Sequence, residues 1–230
     1  MRILIVGGSP ETSSPETVRA AAAGCDAVVA VDRGLDALDA AGISCDLFCG
    51  DADSVSAEGA ARVRAAQTPR PPSAPAASLP ARPSFEVERY DPHKDFTDLS
   101  LALRAVRSRW GADAAVRCCC LSGGRPDHAL AVFGCLAGWG GSVELVEDAF
   151  EGRVLHAGES WELGLGLVEA RFSFVPLAPG AVVSVAGMRW NLDRAEVGIL
   201  SDLGISNVVE LAGAHVACHD GVIACWAFPV

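Results

Sequence analysis

The 230-residue sequence lacks the features that mark several other classes of protein. It carries 18 basic against 29 acidic residues, a net charge of −11, whereas a duplex nucleic-acid binder needs clustered Lys and Arg. A single Tyr beside eight Phe offers no stacking platform for single strands. No apolar run reaches the roughly 20 residues of a membrane span, and the apolar N-terminal run is too short for a signal peptide. We therefore expect a protein that binds neither nucleic acid nor membrane.

The nine cysteines include no Cys-x-x-Cys pair, and three of them are contiguous at 118–120. Because neighbouring strand residues point to opposite faces, this run is a poor framework for a metal or a disulfide. We interpret the cysteines as reduced, mostly buried thiols of a cytoplasmic protein.

Buried apolar runs alternate with helical patterns over residues 1–148. This alternation predicts an α/β domain with a doubly wound, mainly parallel sheet. The predicted strands are 2–6, 27–31, 46–49, 85–90, 115–121 and 142–147. The predicted helices are 16–23, 35–41, a helix capped by Ser54 or Ser56 that ends near 66, 99–110 and 126–136. Residues 67–84 contain six Pro and no periodicity, so we expect an exposed insertion there.

Short alternating runs replace the helical patterns in residues 149–230. They predict a small antiparallel β domain, a sandwich or a barrel, without a long helix. A domain of this size is marginal alone, so we expect it to pack on another surface. The predicted strands are 154–156, 171–175, 181–186, 208–211, 215–218 and 222–227.

Three polar clusters, at 50–54, 91–98 and 123–128, each follow an apolar run and precede a helical pattern. Ligands of doubly wound sheets bind beyond the carboxyl ends of the strands. We therefore expect these clusters, together with Asp32 at the end of another strand, to form an active site at one edge. For 91–98 the alternative is that these residues only form a well-capped helix start, with Asp95 or Thr97 as the cap.

Asp51 and Asp53 are two residues apart, a spacing that puts both side chains on one side of an extended backbone. Two converging carboxylates repel unless a cation lies between them, and hard oxygen ligands suit Mg²⁺. Asp98, in the first turn of the predicted helix that ends at residue 110, is the third candidate ligand. The alternative is that Asp53 caps the following helix while Asp51 is solvated.

The Gly-rich turn at 123–128 opens a helix, so its N–H groups suit an anion, and Arg125 adds a planar fork for phosphate oxygens. Its spacing is neither that of a dinucleotide-binding turn nor that of a P-loop. His128 is either a hydrogen-bonding group at the helix N terminus or a base. A Ser or Cys hydrolase is the rival enzyme class, but no Gly-x-Ser-x-Gly occurs.

Motifs along nearly the whole chain resemble, in order, those of the thiamine pyrophosphokinase family. They are VDRGLDAL at 31–38, GDADSV at 50–55, KDFTDLSLAL at 94–103, GGRPDHAL at 123–130, FSFVPL at 172–177, GMRWNL at 187–192 and GISN at 204–207. The resemblance implies an α/β catalytic domain, a thiamine-binding β-sandwich, and a homodimer whose thiamine sites combine both subunits. It also implies that ATP and thiamine give AMP and thiamine diphosphate, because the thiamine hydroxyl attacks the β-phosphorus.

The same resemblance assigns roles to individual residues. It implies that Asp51, Asp53 and Asp98 bind Mg²⁺ and that Asp98 also orients or deprotonates the hydroxyl. It implies contacts of Lys94 and Arg125 with the triphosphate of ATP. The remaining residues on the ATP side are Asp32, Arg33, Thr97, Asp127 and His128. On the thiamine side, Ser206 and Asn207 would hydrogen-bond the aminopyrimidine, and Trp190 would either stack on a thiamine ring or belong to the core.

Three features depart from the family pattern. Arg33 stands where the family usually has Gly, so it would bind phosphate instead; Ala52 replaces a bulkier residue; and the insertion at 67–84 is longer than expected.

Two other functions stay open at this point. A related pyrophosphokinase acting on a hydroxymethylpterin would lack the turn at 204–207 and the sandwich. A non-catalytic thiamine or nucleotide sensor would lack the metal carboxylates.

Overall fold

A computed structural model describes residues 1–68, 85–91, 93 and 95–230. The predicted insertion lies outside the described residues except for its first two positions, and Lys94 lies outside them as well. The described residues form two compact units. Unit 1 comprises Met1–Ala114 with Cys118–Gly124, and unit 2 comprises Ala115–Arg117 with Arg125–Val230.

Unit 1 contains a parallel sheet covered by helices, which confirms the predicted α/β class. Its strands lie in the order β1 (Arg2–Val6), β2 (Ala27–Val31), β3 (Leu47–Gly50) and β4 (Glu86–Arg89). Its helices are α1 (Pro15–Ala22), α2 (Gly34–Ala41), α3 (Ala57–Gln67) and α4 (Asp98–Trp110). The side chains of β1 from Ile3 to Val6 have no exposed surface, as expected of a strand that is buried on both faces.

The predicted helix starts are confirmed at their caps. The Ser14, Ser56 and Thr97 hydroxyls each accept a hydrogen bond from a backbone N–H in the first turn of α1, α3 and α4. Since Ser56 caps α3, the alternative cap Asp53 is wrong. Helix α2 ends at Gly42, whose φ of 69° is a left-handed conformation that suits glycine.

Strand β5 (Ala115–Cys119) ends two residues earlier than predicted, because Cys120 has a φ of 55° and leaves the strand. Because of this turn, the sulfur atoms of Cys119 and Cys120 lie 3.8 Å from each other. The expectation that neighbouring thiols in this run point apart is therefore wrong at these two residues. The expected burial of the cysteines is confirmed, because seven of the nine are buried and two are half-buried.

Unit 2 contains one α-helix, α5 (Pro126–Ala137), a short 3₁₀ helix at Leu165–Leu167, and strands that pair antiparallel with one another in two sheets, as predicted for a sandwich. The strands are β6 (Val143–Val146), β7 (Glu151–His156), β8 (Ser160–Glu162), β9 (Arg171–Pro176), β10 (Ala181–Ala186), β11 (Leu192–Val197), β12 (Asn207–Val208), β13 (His215–Asp220) and β14 (Val222–Phe228). Their order is β6-β7-β14-β9-β12 in one sheet and β11-β10-β13-β8 in the other. Buried side chains of both sheets share one apolar core, in which the rings of Trp161 and Phe172 lie 6.3 Å apart.

Strand β6 pairs antiparallel with β7, with Val143 opposite Val154, a pairing about which the sequence made no prediction. The sequence pattern also missed β8 and β11, which are respectively short and mostly exposed. None of the helices in the described part of the chain is long and apolar enough to span a membrane.

Candidate active site

Three carboxylates meet at the carboxyl ends of two neighbouring strands. Asp32 directly follows β2 and Asp51 directly follows β3, so the parallel pairing of these strands puts both at the same edge. One oxygen from each of Asp32, Asp51 and Asp53 lies within 4.8 Å of the other two. Asp32 and Asp51 are buried and Asp53 is exposed, so the cluster opens to solvent on one side. The alternative in which Asp51 is merely solvated is therefore wrong.

Backbone conformation holds this cluster together. Asp32 has a φ of 47° and Ala52 a φ of 62°, and the Ala52 N–H donates to Asp32 Oδ1 at 3.2 Å. The Asp53 N–H donates to Asp51 Oδ1 at 3.1 Å, which closes the loop on itself. A Cβ at Gly50 would lie 1.9 Å from Asp32 Oδ1, so only glycine allows the two strand ends to approach this closely.

Asp98 is the fourth carboxylate of the cluster. It is the first residue of α4, which packs on β2 and β3, and its carboxyl group hydrogen-bonds to that of Asp32. Burial and the charges of Asp98 and Asp51 raise the pKa of Asp32 to about 7, against the opposing effect of the Ala52 N–H. Four acidic groups at one place are stable only with a shared proton or a cation.

The donor set of this cluster fits a hard divalent cation. Each candidate ligand is a carboxylate oxygen, and the exposed side leaves room for the waters and phosphates with which Mg²⁺ usually binds. Asp51, Asp53 and Asp98 are the predicted ligands, and the structure adds Asp32 beside them.

Arg33 and Thr97 lie at the borders of this cluster. Arg33 Nε donates to the carbonyl oxygen of Ser54 at 3.3 Å, so the side chain ties the acidic loop to the start of α2. The Thr97 hydroxyl accepts from the Ser100 N–H at 3.2 Å and fixes the first turn of α4, where Asp98 lies. Both residues therefore position acidic groups in this structure.

The Gly-rich turn after β5 contacts a loop that sequence reasoning missed. Gly123 and Gly124 have φ values of 98° and 73°, and the Gly124 N–H donates to Glu11 Oε1 at 3.3 Å. The hydroxyl of buried Ser9 bonds to the Ser122 carbonyl and accepts from the Glu11 N–H. The Gly-Gly-Ser-Pro-Glu run that follows β1 was the available signal, because it begins at a strand end of the same sheet.

Three further predicted residues belong to unit 2 and are exposed, namely Arg125, Asp127 and His128. Arg125 Nε donates to Asp127 Oδ1 at 3.1 Å, and a second guanidinium nitrogen donates to Oδ2, which makes a bidentate pair. This hydrogen bonding lowers the pKa of Asp127 to about 2 and raises that of Arg125. His128 lies beside them in the first turn of α5.

Trp190, Ser206 and Asn207 form a third site in unit 2. Asn207 is buried; its Oδ1 accepts from the N–H groups of Trp190 and Val208, and its Nδ2 donates to the Trp190 carbonyl at 2.7 Å. Of the two amide hydrogens of Asn207, the bond to the Trp190 carbonyl uses one. Trp190 is 60% exposed, so the alternative of a core role is wrong. The Ser206 N–H donates to Ser173 Oγ, and its own side chain is exposed.

Comparisons with known proteins agree with this arrangement. Residues 18–142, more than half of the chain, match the family model "Thiamin pyrophosphokinase, catalytic domain", and residues 168–223 match "Thiamin pyrophosphokinase, vitamin B1 binding domain". No sequence among curated proteins matches the chain.

Several solved structures share the fold of the whole chain. Thiamine pyrophosphokinase from Bacillus subtilis is 21% identical with a TM-score of 0.77, over 100% of this chain and 99% of that one. The Geobacillus thermodenitrificans protein is 23% identical with a TM-score of 0.75, over 100% and 98%. The Candida albicans protein is 12% identical with a TM-score of 0.75, over 99% and 88%. At these identities the similarity shows a common fold.

Proposed function

Because the chain belongs to the thiamin pyrophosphokinase family, we propose that its four converging carboxylates are the centre of the site that transfers pyrophosphate from ATP to thiamine. The enzyme is a thiamine pyrophosphokinase, and its products are thiamine diphosphate and AMP. The observation that supports this location is the meeting of Asp32, Asp51, Asp53 and Asp98 at one sheet edge. A sensor that only binds nucleotide would not need these groups.

The acidic groups have distinct tasks in this proposal. Asp51, Asp53 and Asp98 hold Mg²⁺, which when bound neutralises charge on the triphosphate of ATP. Asp98 Oδ accepts the proton of the thiamine hydroxyl as its oxygen attacks the β-phosphorus, and AMP leaves. Asp32, hydrogen-bonded to Asp98, holds that carboxylate in place. Catalysis then depends mainly on positioning and charge neutralisation.

Cationic and N–H groups bind the rest of ATP. Arg125 and Lys94 contact the triphosphate, and Arg125 exchanges its Asp127 partner for phosphate oxygens of the same bidentate geometry. The N–H of Gly124, which binds a carboxylate in this structure, binds an anionic phosphate oxygen. The remaining nucleotide contacts in this proposal are Arg33, Thr97, Asp127 and His128.

Thiamine is bound by the site in unit 2. Trp190, Ser206 and Asn207 all lie within the residues that match the vitamin B1 binding domain. The exposed indole of Trp190 supplies a stacking face, while the Ser206 hydroxyl and the remaining amide hydrogen of Asn207 bond the aminopyrimidine. Asn207 also fixes the backbone of Trp190 and so orients the stacking face.

We further propose a cytoplasmic homodimer with domains 1–148 for catalysis and 149–230 for thiamine binding. An apolar segment of unit 2 supports self-association, because Ile199, Leu200, Leu203 and Ile205 are each 47–58% exposed. Light scattering should give twice the chain mass for the wild type and the single mass for Leu203→Asp. A wild-type monomer would contradict this part of the proposal.

The alcohol substrate can be identified directly. The protein is incubated with ATP, Mg²⁺ and either thiamine or a hydroxymethylpterin, and AMP and the pyrophosphorylated alcohol are measured by chromatography. We expect AMP and thiamine diphosphate in equal amounts with thiamine, and neither product above background with the pterin. Turnover with the pterin alone would instead identify the related pyrophosphokinase.

A further inference from the structure

Two thiols lie side by side at the carboxyl end of β5, away from any role assigned above. The sulfur atoms of Cys119 and Cys120 are 3.8 Å apart, and neither residue has exposed surface. Adjacent residues of a regular strand would direct these side chains to opposite faces. Because Cys120 has a φ of 55°, outside the range of a strand, the two side chains turn toward each other.

The backbone fixes both residues in this arrangement. The carbonyl of Cys119 accepts from the Gly7 N–H at 2.8 Å, and the carbonyl of Cys120 accepts from the Ser9 N–H at 3.1 Å. A Cβ at Gly7 would lie 2.6 Å from the Cys120 carbonyl oxygen, so the loop after β1 closes tightly on this turn. The two peptide groups therefore cannot rotate independently, and the thiols are held as a pair.

The separation of the sulfurs, at which the two thiols hydrogen-bond to each other, also suits a shared ion. A disulfide needs sulfurs about 2.05 Å apart. Two thiolates on one tetrahedral ion, with metal–sulfur bonds of about 2.3 Å, lie about 3.8 Å apart. The sulfur atoms of Cys119 and Cys120 are already 3.8 Å apart, so binding an ion requires little movement of either one.

We propose that Cys119 and Cys120 form a dithiol chelate for a soft, thiophilic divalent ion. Each thiol gives up its proton, so one M²⁺ and two thiols form a neutral M(SR)₂ unit and release two protons. Thiolates select soft ions, whereas carboxylates select hard ones. The two thiols and the cluster of four carboxylates should therefore bind different metal ions when both ions are present in solution. The binding of the ion does not depend on the proposed function, whereas its effect on turnover does.

Bound metal at this site acts on the enzyme through the adjoining turn. Ser9 connects the Cys120 carbonyl to the Ser122 carbonyl, and Gly123 begins the turn proposed to bind phosphate. A change in the Cys119–Cys120 geometry is therefore passed to Ser122 and Gly123. We expect soft ions to lower turnover with Mg²⁺ in excess.

Cd²⁺ is the probe, because thiolate coordination gives a charge-transfer band in the ultraviolet that carboxylate coordination does not. The reduced, full-length protein is titrated with Cd²⁺ in excess Mg²⁺ and left to equilibrate, since entry to a buried site requires local opening. We expect one thiolate-bound Cd²⁺ per chain with about two protons released. Absence of the band would overturn the proposal.

Variants locate the bound ion. Cys120→Gly removes one thiol at a φ of 55° that glycine adopts readily, and Cys119→Ser removes the other. Each should lose one equivalent of thiolate-bound Cd²⁺, and a thermal melt checks that the variant is folded. Cys25→Ser, which removes a half-buried thiol elsewhere in unit 1, is the control and should keep the band. An unchanged band in Cys120→Gly and Cys119→Ser would also overturn the proposal.

Discussion

The carboxyl groups of Asp32 and Asp98 share a hydrogen bond, although one residue follows a strand and the other begins a helix. Such a bond needs a proton on one of the two groups. Burial, reinforced by the Asp98 and Asp51 charges, puts that proton on Asp32 by raising its pKa to about 7. In the metal-free protein this proton therefore reduces the repulsion between the carboxylates. In the enzyme that we propose, a bound cation has this effect.

This relationship makes the stability of the metal-free protein depend on pH. The pKa of Asp32 rises from 3.8 to about 7 on folding, so between these values the folded state binds more protons than the unfolded state. The contribution of Asp32 to the free energy of unfolding therefore falls as pH rises from about 4 to 7, by up to about 4 kcal/mol. Urea denaturation in the presence of a chelator, at pH 5 and pH 8, measures the part of this change above pH 5, about 3 kcal/mol.

Asp32→Asn is the matched control because it removes the titrating group and keeps the shape. The variant should lose less stability between pH 5 and pH 8 than the wild type. Adding Mg²⁺ at pH 8 should raise the free energy of unfolding of the wild type, because an ion that binds only the folded state stabilises it. Equal pH dependence in the two proteins would show that Asp32 is ionised throughout this range.

Gly123 tests the phosphate-binding turn. Its φ of 98° is unfavourable for any side chain, and an added Cβ would lie 2.6 Å from Glu11 Oε2. Gly123→Ala should reduce the free energy of unfolding by more than about 1 kcal/mol and kcat/KM for ATP by at least about tenfold. Steady-state kinetics with varied ATP and a thermal melt provide both values.

The control for that substitution is Gly134→Ala, in the interior of α5. An added Cβ there meets no atom within 4 Å, and alanine favours a helix by about 1 kcal/mol over glycine. Its activity should equal that of the wild type. If Gly123→Ala behaved in the same way, the turn would have no part in binding ATP.

Asn207 tests the thiamine site. Asn207→Ala removes a buried amide that bonds the Trp190 N–H, the Trp190 carbonyl and the Val208 N–H. The loss should lower the free energy of unfolding by about 1–3 kcal/mol and raise KM for thiamine more than KM for ATP. Asn191→Ala is the matched control, because Asn191 is exposed and its side chain accepts a hydrogen bond from the Met188 N–H. This substitution should change the free energy of unfolding by less than about 0.5 kcal/mol.

Local signals made much of the fold predictable. Arg2–Val6 and Ala27–Val31 are short β-branched runs between turns, and both strands have the predicted bounds. Ser14 before Pro15 and Gly42 after Ala41 act on the backbone beside them, so the ends of α1 and α2 are readable from sequence. The candidate acidic residues were predictable for the same reason, because each lies where a strand ends or a helix begins.

Contacts between distant segments were not predictable from local pattern. The bond between Asp32 and Asp98 depends on how α4 packs against β2 and β3. The left-handed conformation of Cys120 depends on hydrogen bonds to the loop after β1, because cysteine itself has no preference for it. Leu192–Val197 forms a strand through its pairing with β10, whereas its charged sequence gives no alternation.

The most direct test of the acidic site is the activity of Asp51→Asn. The substitution keeps the size of a buried side chain that lies among the other carboxylates, but removes the charge that a metal ligand needs. AMP formation from ATP and thiamine is measured with Mg²⁺ for this variant and for Asp113→Asn, which replaces an exposed Asp of unit 1. We predict that Asp51→Asn is folded and forms at least about a hundredfold less AMP, a loss of roughly 2.7 kcal/mol, while Asp113→Asn is unchanged. Normal AMP formation by folded Asp51→Asn would contradict a metal-bound acidic centre.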